Sequence, residues 1–342
     1  MTGRTWVVSP SPFVLTRPTV PVMSVLLSAT IFPILVMLVL EGDYPSLSAV
    51  ALSLLGSFLA DICMTVPFGR PFQRDGTVFV TGLLTGLLLP STLGYVTVFT
   101  VALTGTLFAR AVFGGTGSYW ISPVATSVAI AFMSQPSLFP PQLVTPEGIS
   151  MVGDAFGSLK LDGFARIASD TPVTEFLNGR VFSAIGVRIP EGYVTLLWRS
   201  PSAIPAFRYN SLILVSSVFL IALNVIDWII PLVFVATYSF LVRMIPLFPF
   251  APSMRQGDIL FALLTSGILF TAFYILPEFS TSPRSRAGKI ITGIVGGVTA
   301  FFICGPGGSP GGAAFSVLAT NAFAPLVEYL ESHKTSFAGD IP

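Results

Sequence analysis

A run of 34 uncharged residues, Gly76–Ala109, constrains this chain more than any other feature. A helix needs about 20 mostly apolar residues to cross a bilayer, so the run is too long for one crossing. The stretch LLLPSTLGY breaks it at Pro90. A short span before Pro90 and a full one from Tyr95 are expected. The same criterion places spans at Val22–Leu40 and at Leu47–Val66, the second interrupted by Asp61. A short apolar helix is expected at Val124–Met133, and spans resume at Ser211–Ile226, Trp228–Val242 and Ile259–Leu276. The last uncharged block, Ile290–Val327, is again too long for one helix, and GPGGSPGG (Gly305–Gly312) splits it. The sum is about ten spans, some of them short. Composition agrees. Only 10% of residues are charged and 53% are hydrophobic, whereas a soluble domain carries about 25% charge. So few polar groups cannot cover a water-facing surface, and the expected class is an all-α polytopic membrane protein.

Residues 134–208 break the pattern, with six acids, six bases and no run long enough to span. Orientation follows from the short loops, where cations stay on the cytoplasmic side. With the N-terminus inside, nine cations lie in cytoplasmic segments: Arg4, Arg17, Arg70, Arg74, Arg110, Arg284, Arg286, Lys289 and Lys334. Only Arg243 and Arg255 fall in short outside loops. Both termini are therefore expected in the cytoplasm of a bacterial cell, with 134–208 as a long extracytoplasmic loop. The expected division is 1–21 cytoplasmic, 22–133 a first membrane unit, 134–208 the loop, 209–330 a second membrane unit and 331–342 a cytoplasmic tail. The segment before Val22 is polar and proline-rich, so no cleavable signal peptide is expected. One His argues against a multi-histidine metal or haem site, and Cys63 and Cys304 lie in apolar runs as packing thiols. A net charge of +1 points to no nucleic-acid partner.

The two membrane units echo each other. RDGTVFVTGLLTGLLLP (Arg74–Pro90) resembles QGDILFALLTSGILFTAFYILP (Gln256–Pro277). Each has an Asp just before an apolar stretch with internal Thr and Gly, closed by Leu-Pro. Each is followed by a full span and then a glycine-rich break, FGGTGSYWISP in one and CGPGGSPGG in the other. Short, interrupted apolar segments at matching positions mark duplicated transport folds. With five spans before the loop and five after it, the two repeats are expected to be inverted.

Several of these stretches resemble the RnfD/NqrB family. It comprises RnfD, a component of the Rnf electron-transport complex, and NqrB, its relative in the sodium-pumping NADH:quinone reductase. That family carries Asp-Gly-Ser-x-x-x-Thr-Gly-Leu-Leu-Leu ending in Leu-Pro. Asp75, Gly76, Thr81, Gly82 and Pro90 match it, with Thr77 in place of Ser. VFGGTGSYWISP is similar to the family's Phe-Gly-Gly-x-Gly-x-x-x-x-Asn-Pro at Phe113, Gly114, Gly115, Gly117 and Pro123, with Ser122 for Asn. EFSTSPRSRAGK is similar to its Asp-Pro-x-Thr-Ser-Pro-x-x-x-x-Gly, with Thr281, Ser282, Pro283 and Gly288 kept, Glu278 for Asp and Phe279 for Pro. Asn321 and Pro325 match the closing motif. The resemblance implies a membrane core component of an ion-translocating oxidoreductase rather than a complete enzyme. Electrons would pass between reduced ferredoxin, or a flavodoxin-like donor, and NAD docked on other subunits, coupled to Na⁺ or H⁺ movement. The sibling NqrB has a longer N-terminal segment than the one before Val22. A redox-free transporter or channel on the same inverted repeat is the alternative from another class.

In that family the loop carries Ser-Gly-Ala-Thr, often followed by Pro, and its Thr hydroxyl is joined to FMN through a phosphoester. Thr171 and Pro172 align, while Ser-Gly-Ala has become Ala168, Ser169 and Asp170. The resemblance thus implies covalent FMN on Thr171, with Thr174 a weaker substitute, and leaves place for a second flavin or riboflavin. Without it, Thr171–Pro172 reads as a turn in an exposed loop. Asp170 sets a like charge beside a phosphodiester, which screening makes tolerable in a solvated loop. For the ion path, Asp61 lies inside a span, where a charge is paired or functional. Thr81, Thr85 and Thr265 either line a cavity between the repeats or satisfy their own helix backbone. Asp75 and Asp258 are expected as helix N-caps, and Glu278 as a cap or a path residue.

Overall fold

A computed structural model of the protein describes residues 18–67, 75–115, 117–139, 166–186, 188–245, 258–305 and 312–338. Among them every regular element is helical. Three helices are long and apolar enough to cross a membrane: α1 (Val20–Leu40), α2 (Tyr44–Thr65) and α12 (Arg286–Cys304). Shorter apolar helices lie between them: α3 (Thr77–Leu88), α4 (Tyr95–Thr106), α5 (Pro123–Ser134), α8 (Asn210–Ala222) and α9 (Ile229–Met244); the last helix, α13 (Gly312–Ala338), is longer, but its apolar part is the short stretch Gly312–Val327. Among the described residues between α5 and α8 are two short α-helices that hydropathy does not announce, α6 (Asp170–Phe176) and α7 (Tyr193–Trp198). Most of the glycine-proline stretch after Cys304 and much of the N-terminal segment lie outside the described residues. Helix α13 runs on to Ala338, past the tail boundary drawn at 331.

The helices show the inverted polarity that apolar surroundings demand. On α2 the buried positions are Ser46, Ala49, Val50, Ser53, Gly56, Ser57, Ala60 and Asp61. Their spacing of three and four residues makes one stripe, and the stripe is small and polar. On the opposite side Leu55 is 60% exposed and Phe58 50%. In water that arrangement would be backwards. In lipid, small residues belong at helix contacts because they let backbones approach. Ser53 donates to the Gly82 carbonyl on α3 at 2.7 Å, and Thr106 donates to the Ser57 hydroxyl at 3.2 Å.

Helix α2 packs on α3 and α4, and α4 on α5; later in the chain α9 packs on α12, and α12 on α13. Between these two sets of helices, α1 meets α8 and α5 meets α13. The span expected at Ile259–Leu276 is not one helix. It is divided into α10 (Ile259–Thr265) and α11 (Ile268–Phe270), and continues as a π-helical turn, Thr271–Ile275. The break falls at Gly267, whose φ is +73°. The Phe207 ring lies 2.5 Å from where a Cβ would stand, so only glycine fits beneath it. Helix α4 also ends in a π-helical turn, Leu107–Ala111, which holds Arg110.

Candidate functional site

The residues singled out in the sequence fall into two groups. The first surrounds α6. Asp170 begins that helix and is fully buried, so the solvated-loop setting expected for it is wrong. Burial is compatible with its charge because both oxygens are engaged. Its Oδ1 accepts from the Gly192 N–H at 2.7 Å and from the Thr174 hydroxyl at 3.3 Å. Its Oδ2 accepts from the Thr195 N–H at 2.7 Å and from the Thr195 hydroxyl. Burial alone would push its carboxyl up, but these hydrogen bonds outweigh it and hold Asp170 below the usual carboxylate range. The sign is that of a group stabilising while ionised. Its contribution is present above the unfolded carboxylate pKa of about 3.9 and is lost only as pH falls below that value.

Thr171, the next residue, is exposed, and its hydroxyl makes no hydrogen bond among the described residues. Pro172 is exposed beside it. Thr174 is different, being 2% exposed with its hydroxyl given to Asp170. The partner element α7 is itself fixed at both ends. The Tyr193 hydroxyl bonds to Asp258, which also caps α10 by accepting from the Phe261 N–H at 3.0 Å. Asn210 Nδ2 donates to the carbonyls of Leu196 and Leu264 at 2.9 and 2.8 Å. Arg208 pairs with Asp43, and Arg199 with Glu41 at 3.1 Å, which ties this region to the α1–α2 turn.

The second group lies at the other end of α2. Asp61 is 18 residues after Asp43, or about 27 Å along a helix. Arg110, only 3% exposed, stands 3.8 Å from both Asp61 and Asp75. Asp75 does not occupy the N-cap of α3, which is Gly76 in the left-handed region. One residue earlier, it accepts from the Thr77 N–H at 3.1 Å and the Thr77 hydroxyl at 2.7 Å. Nearby, the Tyr119 hydroxyl donates to Glu278 at 2.6 Å, and the Gly117 N–H donates to Ser280 at 3.2 Å. The Glu278 carbonyl accepts from the N–H groups of Thr281 and Ser282, which makes the turn of the Thr-Ser-Pro motif. Thr81, Thr77, Tyr119 and Glu278 line a small cavity of about 40 Å³ between the helices before and after residues 134–208. That is room for a water molecule or two. Asp61, Thr85 and Thr265 do not line it. Thr81 and Thr265 donate to their own helix at the carbonyls of Thr77 and Phe261.

Residues 7–336 match the family model described as NQR2, RnfD, RnfE. The chain belongs to this family. It is 26% identical to the D subunit of the ion-translocating oxidoreductase complex of Halorhodospira halophila, over 84% of this chain and 83% of that protein. The protein of the same description from Stutzerimonas stutzeri is 28% identical, with 76% of each chain covered. The D subunit of the proton-translocating ferredoxin:NAD(+) oxidoreductase complex of Clostridium ljungdahlii is 25% identical, over 74% of this chain and 72% of that protein.

Within the family's motifs the structure brings out residues that the sequence left unmarked. Tyr119 sits inside SYWISP and is the hydrogen-bond partner of Glu278, 159 residues away. Arg110 is the cation that ends the long uncharged run, which is a usable signal, since a charge that deep calls for a carboxylate partner. Replacing Tyr119 by Phe leaves the half-buried Glu278 carboxylate without this donor. The expected cost is about 1–3 kcal/mol, read as a lowered melting temperature of the detergent-solubilised protein. An unchanged melting curve would show that Glu278 is held by other groups.

Proposed function

We propose that the chain is a membrane core component of an Rnf-type ion-translocating complex and carries FMN through a phosphoester to Thr171. The family and its relatives in ion-translocating oxidoreductase complexes support the first part. One observation carries the second: Thr171 is an exposed threonine whose hydroxyl is uncommitted among the described residues, presented on a helix whose first residue is anchored. The residues fit the group. The Asp170 charge, which repels a phosphate in open solvent, here points into a buried set of donors and away from that role. Thr174 does not offer a comparable acceptor, since its hydroxyl is buried against Asp170. FMN, when attached, supplies electron exchange, while the chain supplies position and electrostatics.

The membrane part would be two inverted repeats of five spans each, α1–α5 and α8–α13, with α10 and α11 counted as one broken span. Supporting this, the packing of α2 on α4 and α4 on α5 recurs as α9 on α12 and α12 on α13. The units also meet like with like, first helix on first and last on last, as a two-fold relation requires. The charge bias supports both termini on the cytoplasmic side of a bacterial inner membrane, with residues 134–208 outside. Ion passage would then run between the units, near the cavity shared by Thr81 and Glu278. Ferredoxin or a flavodoxin-like donor and NAD would dock on other subunits, with Na⁺ or H⁺ as the coupling ion.

The test is direct. The purified protein, denatured in SDS, is expected to show flavin fluorescence on its band, and Thr171→Ala to abolish it. A dark wild-type band would sink the covalent-FMN assignment and favour a redox-free transporter on this fold. Fluorescence that survives Thr171→Ala would place the flavin elsewhere.

A further inference from the structure

We propose that Asp170 is a positioning residue for Thr171: its buried carboxylate locks the first turn of α6 onto the start of α7, and that lock sets Thr171 where a flavin transferase reaches it. This rests on Thr171 being the flavin acceptor. Asp170 and Thr171 are adjacent, so their Cα atoms are about 3.8 Å apart across one planar peptide. Pinning the first residue leaves the second few positions to occupy.

The pin joins parts of the chain that are distant in sequence. Gly192 and Thr195 lie 22 and 25 residues beyond Asp170, and they hold one carboxylate oxygen each. The Thr195 hydroxyl adds a further bond to Asp170 and accepts from the Ile167 N–H at 3.3 Å, which fixes the approach to the helix. The Asp170 N–H closes a turn on the Ile167 carbonyl at 3.0 Å. Through Tyr193–Asp258 and Asn210, α7 is fastened to α10. Thr171 is therefore referenced to the broken helix of the second membrane unit rather than floating on a loop.

The carboxylate does not act as a base toward Thr171. Both of its oxygens point to other donors, and Thr171 faces outward. In loading, Thr171 Oγ1 bonds to the FMN phosphorus of a flavin dinucleotide donor. The phosphoanhydride breaks, the nucleoside monophosphate leaves, and the hydroxyl proton passes to solvent. Asp170 enters this step by placing Thr171 Oγ1, and misplacement of a reacting atom by about 1 Å is enough to slow a reaction about 100-fold.

The full chain, purified without flavin, is mixed with a flavin transferase and a flavin dinucleotide, and covalent loading is followed by in-gel fluorescence. Asp170→Ala and Thr195→Val are expected to slow loading about tenfold or more at saturating donor, while each protein stays monodisperse. Asp170→Asn is expected to fall between them and the wild type, because its Oδ1 still accepts from Gly192 while its amide meets the Thr195 N–H. A second readout needs no flavin. A nitroxide on Thr171→Cys, in a Cys63→Ser background, is expected to be restrained and to become mobile when Asp170→Ala is added. Wild-type loading rates in a folded Asp170→Ala protein would overturn the role. So would a nitroxide spectrum indifferent to Asp170. A wild type that never loads, together with a nitroxide that Asp170→Ala releases, would instead overturn the flavin assignment and leave the lock in place.

Discussion

Leucine at Gly86 or at Gly297 is expected to remove most of the folded protein from a detergent extract of the membrane. At Gly86 a Cβ would stand 2.5 Å from the Val50 Cα and 2.3 Å from the Ser53 hydroxyl oxygen. At Gly297 it would stand 2.8 Å from the Phe234 carbonyl oxygen and 2.7 Å from the Thr237 Cβ. At each site one of these neighbours, the Val50 Cα or the Phe234 carbonyl oxygen, is a backbone atom, so no rotamer change relieves the clash and the helices must part. Overpacking costs about 1–3 kcal/mol in ordinary cores and more where backbone must move. Parting α2 from α3 also strains the Ser53 bond to the Gly82 carbonyl, which is 2.7 Å long. The α9–α12 contact has the same small-residue construction at Gly293, Gly296 and Gly297. A loss of about 3 kcal/mol or more is expected at either site, read as a collapsed monodisperse peak and a lowered melting temperature. Gly179→Ala is the control, because nothing lies within 4 Å of its added Cβ. A Gly86→Leu protein that melts like the wild type would show that α2 and α3 are not in the contact described.

Much of this architecture is legible in the sequence because the controlling physics is local. Runs without charge, Pro90 after Leu89, and an Asp ahead of an apolar stretch each act through the nearest few residues. The expected start at Tyr95 and the cap at Asp258 are both present in the structure. The setting of Asp170 is not legible, for the opposite reason. Its neighbours in sequence are polar and ordinary, while the donors that make its burial tolerable come from Gly192 and Thr195. Periodicity does not report a helix as short as α6 or α7, whose apolar faces hold only one or two side chains. The break at Gly267 is hidden likewise, since Phe207, which enforces it, arrives from beyond α7. At Asp170 and at Gly267 the deciding contact is long-range: a set of polar donors in the first, a single ring against a single glycine in the second.

Arg110→Gln is expected to be the most damaging single change of charge, and the way it is rescued separates the two roles open to Asp61. Arg110 is buried and equidistant from Asp61 and Asp75, at 3.8 Å from each. The three groups carry a net charge of −1, and without the guanidinium they carry −2 in poorly hydrated surroundings. Removing one partner of a buried ion pair costs about 3–5 kcal/mol, largely because the other is left uncompensated. The two carboxylates are not equivalent. Asp61 is 8% exposed, and its Oδ2 makes no hydrogen bond among the described residues. Asp75 accepts from the Thr77 N–H and hydroxyl and so retains support of its own. Adding Asp61→Asn to Arg110→Gln should therefore restore most of the lost melting temperature. Adding Asp75→Asn should restore less, because it weakens the start of α3 while easing the same repulsion. Non-additivity of this kind is the mark of a coupled pair. Ion uptake by the reconstituted complex then decides the rest. If Asp61 is a counter-charge only, the Asp61→Asn, Arg110→Gln protein folds and translocates; if Asp61 lies on the ion path, it folds and does not. An Arg110→Gln protein as stable as the wild type would dismiss the cluster as a structural element altogether.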